Sequence, residues 1–324
     1  QIFYKHPFGI GTGNMDEFME KELIILKQKE LTKQNFNPHN QFLQTAVEIG
    51  FFGGSFTGIP IEQQTAYLEA AHDFMDGRRV ESIRVSTRPD YINPEILKLL
   101  QKYGVRTIEL GAQSMDAGVL LKSGRGHTVA DVEKSSKMIL EAGFDLGLQM
   151  MIGLPGDTRE KAIHTAKRIH ELGASNTRIY PTLVIKGTEL ERMYNHGKYI
   201  PMRLTEAILW VKDLFLYFEE TNVDVIRIGL HPSEELSTDH SLIDGPYHPS
   251  FRELVMTEIW KEHLFELIEF KPEKAIIIYV PLDQLNFAIG HKSENIQLLE
   301  NHFTNVKIKP DVKLIKRAFY VDYY

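Results

Sequence analysis

Residues 51–58 read Phe51-Phe52-Gly53-Gly54-Ser55-Phe56-Thr57-Gly58. A short apolar run, Val47–Phe52, leads into this stretch, and Ile61–Met75, with apolar residues at helical spacing, follows it. Glycines at a strand-to-helix turn let the backbone approach a ligand closely and expose N–H groups. A tight βα turn without a ligand would use the same residues, so the stretch alone predicts a βα connection and leaves its function open.

The same rhythm recurs along the chain. Short apolar runs alternate with amphipathic segments, and Gly104, Gly143 and Gly173 each stand where a helical pattern ends and a strand begins. Such alternation predicts βα units joined by right-handed crossovers, with parallel strands buried on both faces. The predicted strands after the first are Ser82–Ser86, Thr107–Leu110, Leu146–Ile152, Thr177–Val184 and Val223–Leu230.

Polar and glycine residues gather where these strands end. The strand-like segment Thr107–Ser114 carries Gln113 near its end, and Gly124–Thr128 follows it along the chain. Gly147–Asp157 is a further strand and turn. Parallel barrels build their active sites at the rim formed by the carboxyl ends of their strands. The residues therefore predict a functional rim, although each could also be an ordinary polar group of that rim.

These blocks, in this order, resemble the radical S-adenosylmethionine (SAM) superfamily. The likeness is carried by "FFGGSFTG", "LGAQSM", "SGRGHT" and "GLPGDT", spans about Val47 to Leu190, and continues more loosely to Arg252. Within the superfamily the chain is most similar to the branch of the Elongator catalytic subunit and the oxygen-independent coproporphyrinogen oxidases. The resemblance implies an α/β fold, a partial (β/α)6 TIM-like barrel.

The resemblance also implies a SAM site. Gly53, Gly54 and Ser55 match the turn that receives the amino group of SAM, with Ser55 where a Glu is frequent. Gln113 and Arg125 match positions that hold the ribose and carboxylate, and a guanidinium can grip a carboxylate with two hydrogen bonds. Further residues expected to face this cavity are Ser86, Arg88, Gln149 and Gly153.

One family feature is missing. Radical SAM proteins carry a CxxxCxxC loop after the first strand, whose thiolates hold a [4Fe–4S] cluster. This chain has no cysteine, and the matching place is His6 to Asn14. Two explanations stay open: the cysteine segment is absent from these 324 residues, or the protein has lost the cluster. The intact SAM-side motifs favour the first.

Composition limits the other function classes. The net charge of −7 argues against a broad surface that coats nucleic acid, but it allows a local basic patch. The start of the chain lacks a basic segment followed by an apolar run, and no stretch reaches the ~18 apolar residues of a membrane span, so a cytoplasmic protein is expected. The histidines predict no metal site, because His6, His127, His231, His240 and His248 lack ligand spacing.

The pattern changes after Leu230. Asp244–Pro249 is a candidate substrate-side loop, and residues 251–324 are expected to form a small α+β domain behind a barrel of residues 1–250. There, Gly290-His291-Lys292-Ser293 resembles the Gly-x-x-Gly loop of KH domains, with Ser293 in place of the second glycine. Basic residues such as Lys292, Lys307 and Lys309 give this region local basic character, which is open to two interpretations, an ordinary solvated surface or RNA contact.

Two functions follow as hypotheses. The first is a radical SAM enzyme that forms a 5′-deoxyadenosyl radical and acts on tRNA, by analogy with the Elongator branch, or on a small metabolite. The second is a homologue without the cluster that binds SAM or RNA and catalyses nothing. The residues alone do not name the substrate.

Overall fold

The computed structural model describes residues 2–5, 48–52, 54–76, 80–230, 241–269 and 275–324. Of residues 2–5 it describes only the backbone. Gly53 and the predicted cluster segment between His6 and Asn14 lie outside the described residues, as do His231 and His240. By internal contacts the chain divides into two compact units. The first comprises Gln1–Met150 and Lys167–Thr177, and the second comprises Met151–Ala166 and Arg178–Tyr324.

The first part of the chain alternates strand and helix as the glycine-punctuated pattern predicts. Asn93 caps the second helix by accepting hydrogen bonds from the N–H groups of Glu95 and Ile96, and Thr128 with Asp131 forms a capping box at the fourth. The strands are β1 (Ile2–Lys5), β2 (Glu48–Phe52), β3 (Ser82–Thr87), β4 (Val105–Gln113) and β5 (Asp145–Ile152), and the helices are α1 (Ile61–Asp76), α2 (Pro94–Lys102), α3 (Ala117–Lys122), α4 (Val129–Glu141) and α5 (Arg159–Glu171).

The chain continues with shorter strands and more helices. These are β6 (Asn176–Pro181), β7 (Val184–Ile185), α6 (Glu189–Asn195), α7 (Leu204–Glu220), β8 (Asp224–Ile228), β9 (Leu242–Asp244), α8 (Phe251–Phe265), β10 (Ala275–Val280), α9 (Leu285–Ile289), α10 (Glu294–Glu300), β11 (Asn305–Pro310) and β12 (Tyr320–Tyr323). The helix α8 ends at Phe265, and a 3-10 turn, Glu266–Glu269, continues it.

A seven-stranded sheet carries the order β1-β2-β3-β4-β5-β6-β8. The pairs from β1 to β5 are all parallel. Since the strands follow sequence order and helices connect those from β2 onward, the fold is the predicted partial (β/α) barrel. Among the described helices, none is both long and apolar enough to cross a bilayer.

The first unit buries a polar network, and its charged residues lie within strand sequences that are otherwise mostly apolar. Ile83, Val85 and Leu110 are fully buried, yet Arg84 and Glu109, which alternate with them, are buried too. The Arg84 guanidinium donates to Glu48 Oε2 at 2.9 Å and to Asn176 Oδ1 at 2.9 Å, and its Nη1 lies 3.6 Å from Glu109 Oε2. Buried charges require such partners, so this network fixes the register of the strands that supply it.

The C-terminal part of the second unit has its own small sheet. Its order is β11-β10-β12, with β10 parallel to β11 and antiparallel to β12. Trp260, Ile276 and Leu299 belong to the buried cluster beneath it. The predicted domain boundary at residues 250 and 251, just before α8, stays a prediction.

The Gly290–Ser293 loop joins the two short helices α9 and α10. Lys292 and Ser293 adopt φ angles of 51° and 63°, so the backbone is left-handed at Ser293, where a KH loop has its second glycine, and at Lys292 before it. Close packing requires a glycine at position 290, because a Cβ there would lie 2.9 Å from the backbone nitrogen of Asn295. The KH-like character of this loop stays a prediction.

Candidate functional site

The turn after β2 is fastened to the end of β3. Thr57 Oγ1 lies 2.5 Å from Thr87 Oγ1, and the buried Gln64 side chain donates from Nε2 to the Ile59 carbonyl at 2.8 Å. Gly54 is exposed, and a Cβ placed on it would meet no atom within 4 Å. Ser55 is half-buried at the start of the 3-10 turn Phe56–Gly58, where its carbonyl accepts from the Gly58 N–H at 2.9 Å. The backbone at Gly54 is therefore open to a ligand.

Arg88 stands just after β3 and links two segments. Its Nε and Nη2 donate to the two carboxylate oxygens of Asp90 at 2.9 and 2.8 Å. Its Nη1 donates to the Arg125 carbonyl at 2.9 Å. The hydrogen bond from Asp90 raises the pKa of Arg88. Since its donors serve Asp90 and the backbone of Arg125, we interpret Arg88 as a residue that positions the Arg125 loop.

Arg125 lies between two glycines with positive φ, Gly124 and Gly126, in the loop after α3. Burial, and secondarily the positive charge of Arg88, lower the pKa of its guanidinium. The protein thus keeps a half-buried cation beside a second cation. Because Asp90 already neutralises Arg88, an anion bound here would be stabilised mainly by the Arg125 charge, so the loop favours a carboxylate or phosphate ligand.

Gln113 ends β4 in a strained backbone conformation. Its φ is 64°, in a region that non-glycine residues seldom occupy. The pairing of β4 with β5 shifts register between Leu110 and Gln113, and such irregularities re-aim side chains next to functional sites. Gln113 Oε1 accepts a 3.4 Å hydrogen bond from Gln149 Nε2 on β5. Two amide side chains therefore meet at this edge.

Gly111 makes room for the Gln113 amide. A Cβ at position 111 would lie 2.6 Å from Gln113 Nε2, closer than real Cβ contacts allow. The glycine of "LGAQSM" is thus explained by packing against the Gln113 side chain.

His127 contacts the end of β4 next to Gln113. The side chain is buried, and its Nε2 lies 3.1 Å from the Ala112 carbonyl, one residue before Gln113. Burial lowers the pKa of His127, so the neutral imidazole is favoured. The sequence analysis considered His127 only within a set of histidines that lacks metal-ligand spacing, and it is not one of the predicted SAM-site residues. Its place in "SGRGHT", two residues after Arg125, was the signal for this supporting role.

Two other predicted residues have different surroundings. Ser86 is half-buried within β3 and is paired in register with Glu109. Gly153 donates its N–H to Asp157 Oδ2 at 2.9 Å and accepts from the Tyr199 hydroxyl at 2.6 Å. Its backbone groups are therefore engaged within the second unit, and a ligand-binding role for Gly153 stays a prediction.

The contacts form a continuous chain along the carboxyl edge of β2 to β5. Thr57 touches Thr87, which precedes Arg88, and Arg88 holds the Arg125 loop. His127 of that loop reaches Ala112, next to Gln113, which meets Gln149. The structure thus pairs the Gln113 and Gln149 side chains and holds the Arg125 loop against Arg88, and the contact of His127 with the Ala112 backbone links these two pairs.

The second unit contains the predicted substrate-side loop. Asp244, at the end of β9, lines a cavity of about 590 Å³ together with Tyr199, Met202 and Gly245. The short strand β9 pairs with β7, which gives this loop a defined backbone. Its role in binding a substrate stays a prediction.

The side chains present fit one of the groups that the fold implies and not the other. Within the described residues no three His, Asp or Glu side chains converge as a metal site. The whole sequence has no cysteine, so these residues do not fit a thiolate-ligated [4Fe–4S] cluster. They do fit SAM, because the Arg125 loop suits its carboxylate and the two glutamine amides suit hydroxyl and ring nitrogen groups.

Comparison with protein families assigns two consecutive parts of the chain to the same superfamily. The radical SAM superfamily model matches residues 17–169, and the model of the radical SAM C-terminal domain matches residues 175–261. The chain belongs to the radical SAM superfamily. The superfamily expected from the four motifs is therefore confirmed.

Relatives of this radical SAM chain include a tRNA uridine(34) acetyltransferase from Methanocaldococcus jannaschii. The two are 31% identical over an alignment of 182 residues, which covers 50% of this chain and 34% of the relative. Elongator complex protein 3 from Saccharomyces cerevisiae is 30% identical over 173 residues, 47% of this chain and 31% of the relative. The matched part is thus about a third of each of these relatives.

A solved structure shares the radical SAM fold. Archaeal Elp3 from Methanocaldococcus infernus, with an N-terminal deletion, superposes with a TM-score of 0.58 at 23% identity, over 76% of this chain and 60% of that chain. This similarity confirms the predicted partial barrel.

Proposed function

We propose that this chain is the SAM-binding barrel of a radical SAM protein that acts on tRNA, and that it binds SAM at the carboxyl edge of β2 to β5. One observation carries the proposal: at this edge a half-buried Arg125 lies beside Arg88, in the same chain of contacts as the strained Gln113. Backbone strain and a desolvated cation both cost stability, and proteins retain such features mainly at functional sites.

Each part of SAM has a matching group. The Arg125 guanidinium would hold the carboxylate, and the Gln113 and Gln149 amides would hydrogen-bond the ribose or the adenine edge. The open backbone at Gly54 and the Ser55 hydroxyl would receive the amino group. Gly53 would join Gly54 and Ser55 in receiving the amino group, and Ser86 and Gly153 would face the same ligand, as the motifs imply.

Radical formation needs a ligand set that these residues lack. The superfamily implies a 5′-deoxyadenosyl radical formed from SAM at a [4Fe–4S] cluster, but this sequence supplies no thiolate to hold the cluster. For these 324 residues we therefore propose SAM binding alone. Cluster chemistry would require thiolate ligands from other residues.

The choice of tRNA rests on the relatives. The acetyltransferase of M. jannaschii is named for a tRNA uridine, and its match covers half of this chain. The rival is a small-metabolite substrate in the second-unit cavity.

Isothermal titration calorimetry with SAM tests the central claim. We expect one SAM bound per chain, with S-adenosylhomocysteine binding as well because it keeps the carboxylate, ribose and adenine. An absence of heat with SAM, for a protein that melts cooperatively, would contradict SAM binding.

A second measurement separates binding from radical chemistry. The chain is incubated anaerobically with ferrous iron and sulfide and then examined for bound iron and for SAM cleavage after reduction. We expect SAM binding without stoichiometric iron. Four tightly bound irons per chain would show that the residues present can hold a cluster and would overturn our interpretation of the donor set.

A further inference from the structure

In the part of the chain that the structure describes, the small C-terminal sheet is covered on one face only. Along β10, Ile276, Ile278 and Val280 are fully buried, and they join the apolar cluster formed with α8 and α10. Val306 of β11 belongs to the same cluster. Since side chains alternate along a strand, the residues between these point away from the cluster.

That outer face combines aromatic and basic side chains. The strand register places Tyr279 between Lys309 of β11 and Tyr320 of β12, and Ile277 between Lys307 and Asp322. Lys307, Lys309 and Tyr320 are exposed, and Tyr279 is half-buried. The outer face is defined here as Ile277, Tyr279, Lys307, Lys309, Tyr320 and Asp322.

The two tyrosines form a fixed flat surface. Their rings stack with centroids 4.6 Å apart and planes inclined by 12°. Tyr320 keeps 43% of its surface exposed, and its hydroxyl donates to Asp311 Oδ2 at 2.9 Å. Because the ring is already held in place, a second planar group could stack on it with little further loss of freedom.

We propose that the outer face binds a single-stranded segment of RNA. Exposed aromatic rings on an open sheet stack unpaired bases, and neighbouring lysines contact the phosphates. The positive charges of Lys307 and Lys309 complement that backbone, although the chain as a whole carries a net charge of −7. Asp322, on the same face, opposes binding and limits it to the side of the lysines. The inference deepens the proposed function, since it rests on an RNA substrate.

Fluorescence anisotropy with a labelled single-stranded RNA of about 12 nucleotides tests the surface, because single-strand sites span about 4–16 nucleotides. The double variant Lys307→Gln/Lys309→Gln should weaken binding and reduce the salt dependence. Each lost phosphate contact contributes about 0.7 to the slope of log K against log salt, so the slope should fall by about 1.4. The matched control Lys98→Gln/Lys122→Gln removes two exposed lysines of the first unit and should bind as the parent chain does.

Stacking is tested at Tyr320. Tyr320→Leu should weaken RNA binding about tenfold or more, since a stacked base commonly contributes that much, whereas Tyr320→Phe should keep most of the affinity. Asp322→Asn should strengthen binding. Thermal melts check that each variant folds. Equal affinities for the Leu and Phe variants at unchanged melting temperature would overturn the stacking role.

The remaining outcomes separate RNA binding at the outer face from the proposed function. Parent affinity in the lysine variant would overturn the outer face as the RNA site but leave SAM binding untouched. No RNA binding by the parent chain would remove both the surface and the tRNA substrate, whatever calorimetry finds for SAM. Tighter binding of matched DNA, or a dimer that the lysine variant dissociates, would assign the face to another partner and overturn the proposal.

Discussion

Arg88 Nη1 donates a 2.9 Å hydrogen bond to the backbone carbonyl of Arg125, 37 residues further along the chain. This bond ties the end of β3 to the loop after α3. Asp90 holds the other nitrogens of the Arg88 guanidinium. The loop that presents Arg125 is therefore fixed from a neighbouring strand end rather than from its own helix alone.

Arg125 should dominate SAM affinity. Replacing it by Gln removes charge-assisted hydrogen bonds, each of which contributes about 1.5–3 kcal/mol, so the Kd for SAM should rise roughly 10- to 100-fold. Calorimetry measures the change. Arg106→Gln is the matched control, because Arg106 is an exposed arginine paired with Asp145 at 3.0 Å. Equal affinities for the two variants would remove Arg125 from the binding site.

Gly111→Ala should weaken SAM binding through Gln113. The new Cβ would lie 2.6 Å from Gln113 Nε2 and must displace the amide. We expect a several-fold rise in Kd, on the order of the 1 kcal/mol that a neutral hydrogen bond contributes. In a double-mutant cycle, Gly111→Ala should add little once Gln113 is Ala. Fully additive losses would mean that Gly111 acts by another route.

Arg84→Ala should destabilise the fold strongly. The substitution removes the cation that Glu109 and Glu48 contact, and breaking a buried ion pair by removing one member typically costs about 3–5 kcal/mol. Arg106→Ala, which breaks an exposed pair, should cost about 1 kcal/mol or less. Urea denaturation gives both free energies of unfolding. Similar losses for the two variants would argue against a buried network.

His127 should make stability depend on pH. Burial lowers its pKa in the folded chain below the unfolded value of about 6.5, so the unfolded state binds the proton more readily. The stability that neutral His127 provides is present above about pH 6.5 and is lost as the pH falls toward the folded pKa. His127→Gln cannot titrate, so its melting temperature should fall less than that of the parent chain between neutral and mildly acidic pH. Parallel curves for the two chains would exclude His127 as the source.

Several features of the fold could be predicted from the sequence because their causes are local. Periodic apolar runs, the Asn93 and Thr128 caps and the glycines after each helix act over a few residues, and they gave the strand and helix order closely. The helix α7, Leu204–Glu220, was missed although it is regular. No glycine punctuates it in the way that Gly104, Gly143 and Gly173 mark the others.

The motif residues also indicated which side chains to expect at the strand ends, but not how they meet. The expectation that Arg88 faces the cofactor stays a prediction, and the structure adds that its donors bind Asp90 and the Arg125 carbonyl. Charged residues inside apolar runs, such as Arg84 between Ile83 and Val85, were the overlooked sign of the buried network.

The sequence by itself determined the order of βα units, the superfamily motifs and the absence of cysteine, because composition and local periodicity require no knowledge of distant neighbours. Tertiary structure decided the left-handed Gln113, the Arg84 bond to Asn176 and the stacked Tyr279 and Tyr320. Arg84 and Asn176 are 92 residues apart. Such contacts depend on strand register and packing, which only the folded chain fixes.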